Sequence, residues 1–408
     1  MRKTGGLRSA LTNSSRFMSE RAREDTVLGM TREVAIAGVG LTKFVKPEAG
    51  KSYWDYGSQA ILDALRYADL QLSDVQEAFC GSVYTDTGAG QRTLSEIGLT
   101  GIPIINIENA CSSGASAFRL AYQAIATELY DIILVCGFDW IPQKGFLPST
   151  FWPEWERCMG FNVQPANYAM RTLRYMEETG ATVEDFARVT VKNRKNGALN
   201  PNAFFQKPVT VEDVLSSRMI AVPLRLLNCC PLAQGGAAVI LSSLGKLKSK
   251  EKTVTVAASI LTSAMYGAYT YSGDSVRISN PSHVVVSANQ AWEASGYGPH
   301  EMDIVQAYDT TSPSELWTLE AMGFCNKGEA AKLLREGVFD LDGRLPVNTD
   351  GGLLSRGHPM GATALAQIIE IFKQLRQEAG KRQISRCKMG LAHTMGAGPN
   401  SSVTILKR

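Results

Sequence analysis

The chain has 408 residues, with 42 Lys and Arg against 39 Asp and Glu, for a formal net charge of +3. That balance excludes a protein held to nucleic acid by phosphate contacts. With 44% hydrophobic residues, a mean hydropathy of −0.08 and no long uncharged apolar run, it predicts about two or three folded domains and no integral membrane segment. The eight cysteines are scattered, with no C-x-x-C pair, and read as free thiols in a reducing compartment. No metal-ligand spacing occurs, and any imidazole chemistry must come from His283, His300, His358 or His393.

Residues 1–19 carry Arg2, Lys3, Arg8 and Arg16 among serines and have no Asp or Glu. Residues 1–31 therefore read as an N-terminal extension, either a mitochondrial presequence or an unstructured tail. Without a presequence the compartment is cytoplasmic or peroxisomal. From Glu33, VAIAGVGLT reads as a buried opening strand.

The chain then repeats itself. CSSGASAFRLAYQAI from Cys111 aligns with HPMGATALAQIIEIF from His358, so that Gly114 matches Gly361 and Ser116 matches Thr363. Phe118, Ala121, Tyr122 and Ile125 share the helical spacing of Leu365, Ile368, Ile369 and Phe372. Each stretch predicts a tight loop feeding an amphipathic or buried helix. Other strands recur in the same order: TVTVAAS from Thr253 answers the opening strand, and the strand ending at Phe79 answers the one ending at Tyr308. YDIILVCG answers KMGLAHTMG, and AAVILSS answers SSVTILKR. Alternating strands and helices indicate an α/β fold of two similar halves.

The first half spans 32–140 and 228–250 and the second 251–408. Between the parts of the first lies an insertion, 141–227, too long for an ordinary connection. It carries Arg171, Arg174, Lys192, Arg194, Lys195, Lys207, Arg218 and Arg225. These cations either hold an anionic ligand or form a solvated surface.

The duplication places different chemistry at one point of one motif: Cys111 in one half, His358 in the other. A thiol at a helix N-terminus sits at the positive end of the dipole, which favours thiolate. A facing imidazole can take its proton. His393, in AHTMGAGPNSS, is a candidate proton shuttle, with Gly396 and Gly361 as backbone positions beside the ligand. His283 and His300 read as structural.

N-A-C-S-S-G-A-S-A, N-C-C-P-L-A-Q-G-G-A-A-V-I and G-G-L-L-S-R-G-H-P-M-G-A-T resemble, in order and spacing, the motifs of the thiolase superfamily. The R-G-H-P and C-C-P variants are most similar to sterol-carrier-protein-type thiolases and their thiolase-like relatives. The resemblance implies a five-layered α-β-α-β-α fold, with the insertion as a loop domain covering CoA and holding its phosphates through residues such as Arg171, Arg174, Lys192, Arg194, Lys207 and Arg225. It implies lipid or fatty acid metabolism, with a CoA thioester as substrate and no further cofactor. Cys111 would accept the acyl group and His358 would activate it.

Two positions depart from the family pattern. Y-D-T-T, with Tyr308 and Asp309, stands where thiolases carry an Asn or His, and His393 stands at their acid/base Cys. Cys111, His358 and His393 would then resemble the Cys-His-His set of decarboxylating ketoacyl synthases. The substrate would be acetyl-CoA with a 3-ketoacyl-CoA, or malonyl-CoA. Tyr308 is either a core aromatic, like Phe79 in the first half, or an acid/base, as in thiolase-like retro-aldolases that need an OB-fold partner protein. An acyl-CoA or lipid carrier is a third reading. The family implies a homodimer or a monomer.

Overall fold

The computed structural model describes residues 32–48, 50–140, 154–159, 163–263, 282–396 and 400–408. The proposed presequence lies outside them. The first half contributes β1 (Val34–Leu41), α1 (Tyr53–Ala68), β2 (Glu77–Gly81), α2 (Ala89–Ser95), β3 (Ile104–Ile107), α3 (Ser113–Ala126) and β4 (Ile132–Asp139), closing with β7 (Gly235–Ser243). Between β4 and β7 lie α4 (Glu154–Cys158), α5 (Gln164–Thr179), α6 (Val183–Gly197), α7 (Val211–Ser216) and a hairpin of β5 (Met219–Ala221) and β6 (Leu224–Arg225). None of these inserted elements joins the main sheet. The second half runs β8 (Thr255–Ser263), α8 (Ser282–Ser295), β9 (Ile304–Gln306), α9 (Ser312–Ala321), α10 (Ala330–Arg335), α11 (Gly352–Arg356), α12 (Met360–Arg376), β10 (Met389–Gly396) and β11 (Asn400–Lys407).

The strand order β3-β2-β4-β7-β1-β8-β11-β10-β9 reads almost the same from either end. In each half two parallel strands are followed by two antiparallel ones. The parallel Val305–Val347 bridge stands where the second half lacks a counterpart of β3. The halves meet edge to edge where Ala35 pairs with Thr255 and Ile36 N donates to Val254 O at 3.0 Å. The duplication read from the sequence is thus a structural one.

Five layers follow from the packing. α1 covers the outer face of the first sheet, α3 and α12 lie between the sheets, and α8 covers the second, with α9 packed against α8. This is the α/β architecture expected. α12 is buried on nearly every face, because apolar residues at 365, 368, 369 and 372 meet strands on one side while Gln367, Glu370 and Gln374 satisfy buried polar groups on the other. α3 is more amphipathic: Phe118, Ala121 and Ile125 are buried and Tyr122 is half-buried.

The two central helices touch through their backbones. A Cβ on Gly114 would lie 2.3 Å from Gly361 O, and one on Gly361 would lie 2.3 Å from Gly81 O. These aligned glycines therefore set how closely the Cys111 and His358 loops approach. Gly114→Ala is expected to cost at least about 1–3 kcal/mol, through overpacking that backbone atoms cannot relieve. Gly245→Ala, where an added Cβ meets nothing within 4 Å, should be near neutral. Chemical denaturation of the two variants checks this.

Candidate active site

Cys111 lies just before α3, with Ser112 at the helix N-cap. Ala110, immediately before it, is held at φ 49°. A left-handed non-glycine residue is strained, and such strain collects at functional sites. The Tyr308 hydroxyl interacts with the thiol and partly offsets the effect of its burial. Tyr308 Oη in turn lies 3.3 Å from His358 Nε2, with the rings edge to face. The other ring nitrogen, Nδ1, is 2.7 Å from Thr363 Oγ1.

The Thr363 contact fixes the tautomer. Its hydroxyl proton is committed to Pro359 O at 2.7 Å, so its oxygen accepts from His358 Nδ1–H. Nε2 then carries the lone pair and accepts from Tyr308. A line runs from thiol to phenol to imidazole to threonine, and Tyr308 stands between the two residues the sequence paired directly. Thr363 was not picked out, although its duplication partner Ser116 gave a signal. In the first half Ser116 braces Asn109, two residues before Cys111, at 2.9 Å.

Burial governs the protonation states. It pushes the Cys111 thiol up to about 11, against the partly offsetting bond from Tyr308, so the expected depressed thiol does not appear at rest. It holds His358 down to about 3, with Arg356 adding repulsion, so the imidazole is neutral and ready to accept a proton. Tyr308 is raised well above the usual phenol range, by burial and then by Cys111. The resting site is uncharged along this line.

A buried polar network positions the His358 loop. Asp309 accepts from the N–H groups of Leu353 (2.7 Å) and Leu354 (3.3 Å), capping α11, which leads into Gly357 and His358. Asn193 bridges Asp309 and Glu315 at 2.8 Å each, and Asn348 donates to Glu315 at 2.7 Å. Lys192 completes it with an ion pair to Glu315 at 3.0 Å. The segment after the insertion runs beside the site as well: Cys230 N donates to Thr310 O at 2.9 Å, and Leu232 bridges to His358.

Several candidates are placed elsewhere. His393 and Thr394 point to opposite faces of β10. Thr394 meets Gln367 of the central α12, whereas His393 Nε2 lies 3.2 Å from Ser401 Oγ, which touches Ser287 of the outer α8. The ring of His393 thus turns away from the Cys111 line, which revises its expected part in the set. Gly361 N donates to Asp139 and is not a free oxyanion donor. Gly396 abuts the backbone of Asn109, where a Cβ would come within 2.6 Å of its carbonyl oxygen.

The inserted cations do not form one patch. Lys192 is paired inward, and Arg174 is paired with Glu177 and Glu178. Arg225 donates to Ser217 O at 2.9 Å. Lys195, Lys207 and Arg218 are exposed. Arg171 lies over the Tyr168 ring. Arg194 is buried and stacked 3.6 Å from the Phe205 centroid, and burial lowers it to about 10. Among the described residues no His, Cys, Asp and Glu cluster fits a metal ion, and no helix is long and apolar enough to cross a membrane.

The fold and the paired Cys111 and His358 loops agree with the family comparisons. Residues 34–150 match the thiolase N-terminal domain and 274–408 the thiolase C-terminal domain-like family. The chain belongs to the thiolase family. It is 36% identical to sterol carrier protein 2 of Oryctolagus cuniculus, over 96% of this chain and 74% of that one. It is also 36% identical to the benzoylsuccinyl-CoA thiolase subunit BbsB of Thauera aromatica, over 90% and 96%. Among solved structures, the Ltp2-ChsH2(DUF35) aldolase aligns at TM-score 0.81 and 27% identity, over 93% and 98%.

Two predictions follow from these protonation states. Iodoacetamide labelling of Cys111, read by peptide mass, should rise about tenfold per pH unit between about pH 7 and 9, because the thiolate stays a minor species below about 11. A plateau below pH 8 would contradict the buried thiol. His393 is held down to about 3 by burial, so below about pH 6.5 the folded state keeps it neutral while the unfolded chain protonates it. Its share of stability is complete above about 6.5 and is lost as pH falls toward the folded value. His393→Gln should therefore make the loss of stability between about pH 6.5 and 5 shallower, by at most about 1.4 kcal/mol per pH unit.

Proposed function

We propose that the protein is an acyltransferase acting on CoA thioesters, with Cys111 as acyl acceptor and Tyr308 and His358 as its proton relay. The observation that carries this reading is the continuous line from Cys111 through Tyr308 to a His358 ring whose tautomer Thr363 fixes. Attack of Sγ on the thioester carbonyl drives the thiol proton to Tyr308 Oη as the phenol proton passes to His358 Nε2. Collapse of the tetrahedral adduct breaks the carbonyl–sulfur bond, and the departing CoA sulfur takes the relayed proton. The products are acyl-Cys111 and free CoA. The acyl group then passes to CoA, whose thiol proton goes to the Tyr308–His358 relay, or to a second CoA ester, whose α-proton goes there; Cys111 leaves as thiolate and recovers the relayed proton. Acetyl-CoA with a short 3-ketoacyl-CoA, or malonyl-CoA with loss of carbon dioxide, fits this chemistry. His393 has no part in it.

A second reading is favoured by the place of Tyr308, whose hydroxyl is backed by a neutral imidazole. Such a phenol can take the proton of a 3-hydroxyacyl-CoA hydroxyl while His358 takes the phenol's own. The Cα–Cβ bond then breaks with its electron pair left on Cα, which takes the relayed proton, releasing an aldehyde or ketone and a shortened acyl-CoA. The aldolase neighbour's name includes a DUF35 component, and BbsB is named as a subunit. A protein partner for this chain is part of the proposal.

Intact mass spectrometry after incubation with acetyl-CoA separates the readings. An acetyl adduct mapping to Cys111, absent in Cys111→Ala and formed at least about tenfold more slowly in Tyr308→Phe, is the expected result. Carbonyl release from a 3-hydroxyacyl-CoA without any adduct would establish the lyase instead. Binding with neither outcome would make the chain a carrier.

A further inference from the structure

We infer that Asp139 is a positioning residue for this reaction: its carboxylate registers the His358 helix of one half against the loop after β2 of the other, beside the nucleophile, and its ionisation sets the acid limb of turnover. The rate readout rests on the acyl-transfer reading above.

Asp139 ends β4 and is 1% exposed. Oδ1 accepts from Val83 N at 2.9 Å and Tyr84 N at 2.7 Å, in the loop after β2. Oδ2 accepts from Gly361 N, three residues after His358 in the first turn of α12. One carboxylate thus holds backbone from both halves. Gly361 has no room to move: its Cβ position lies 2.3 Å from Gly81 O and 2.6 Å from Phe138 O, and its own carbonyl oxygen is 2.1 Å from the Cβ position of Gly137. A shift at Gly361 must carry His358 with it.

The three partners are all donors, so only an acceptor on both oxygens satisfies them. A charged acceptor makes the stronger bonds. An amide of the same shape would set its own N–H groups against a donor. The charge also acts on the nucleophile, because it is one of the influences holding the Cys111 thiol up, and it does the same to Tyr84. Asp139 therefore organises the site while making its thiol less acidic.

Among the described residues, the titratable groups interacting with Asp139 are Cys111, Tyr84 and Glu108. Burial raises Asp139 to about 6, while its three N–H partners pull it down and Glu108 adds repulsion. Cys111 and Tyr84 are raised and His358 is lowered, so none of them changes charge near this value.

The test compares wild type, Asp139→Asn and Asp139→Glu over about pH 5 to 8. Wild-type kcat/KM for acyl transfer should fall about tenfold per unit below about pH 6. Asp139→Asn should lose that limb and, at pH 8, lose kcat at least about tenfold with KM little changed. At the same pH its Cys111 should be alkylated several-fold faster, because the repelling charge is gone. Asp139→Glu should restore the limb. A limb that persists in Asp139→Asn, or alkylation no faster than wild type, overturns the inference. Should Asp139→Asn not fold, carbon-13 NMR of aspartate-labelled wild type decides, since the Asp139 carboxyl must titrate with the limb. Alkylation and NMR need no acyl transfer, so a chain that forms no acyl-enzyme defeats the functional reading and leaves this one to its own measurements.

Discussion

Everything in the site depends on a contact between two backbones. Gly114 and Gly361 occupy the same position in the two halves, and each lacks the one carbon that would hold the central helices apart. Because they meet, the residues three positions before them, Cys111 and His358, open toward a common space. Neither half contains a usable pair by itself. The thiol belongs to one and the imidazole to the other, and the interface between them is the proposed reaction centre.

Both residues are buried, and burial decides their protonation states. A thiol exposed at a helix end would gain from the dipole and lose its proton readily. Buried here, Cys111 moves the other way, and His358 moves away from its charged form. The two shifts keep the ground state neutral, so charge develops only when a carbonyl carbon arrives to accept the sulfur's electrons. Tyr308 suits this arrangement, since a phenol both gives and receives a proton without becoming charged. The cost of holding buried polar groups is met by saturation: Asp309, Glu315, Asn193 and Asn348 each spend their oxygens or N–H groups on one another and on α11.

Much of the fold was legible because duplication doubles the signal. A weak strand such as β9, three residues long, gains credibility from its fully buried counterpart β2. The motif positions of Cys111 and His358 were readable for the same reason. What could not be read was direction. His393 and Thr394 are neighbours in sequence, and only the pleat of β10 shows that they face opposite layers. The Tyr308 question turned on whether its hydroxyl had a partner, which sequence spacing does not encode. For the inserted cations, composition records charge and not pairing. Lys192 looked available to a phosphate until Glu315, 123 positions later, proved to hold it.

The inward face of α6 has a consequence for the history of the insertion. Such excursions are usually treated as exchangeable covers laid over a finished barrel or sandwich. This one supplies Lys192 and Asn193 to the same carboxylates that cap the helix before His358. A chimera that borrowed the excursion from a relative would orphan Glu315 and Asp309 unless their counterparts travelled with it. Divergence in the cover and divergence in the second half are therefore bound to proceed as matched changes.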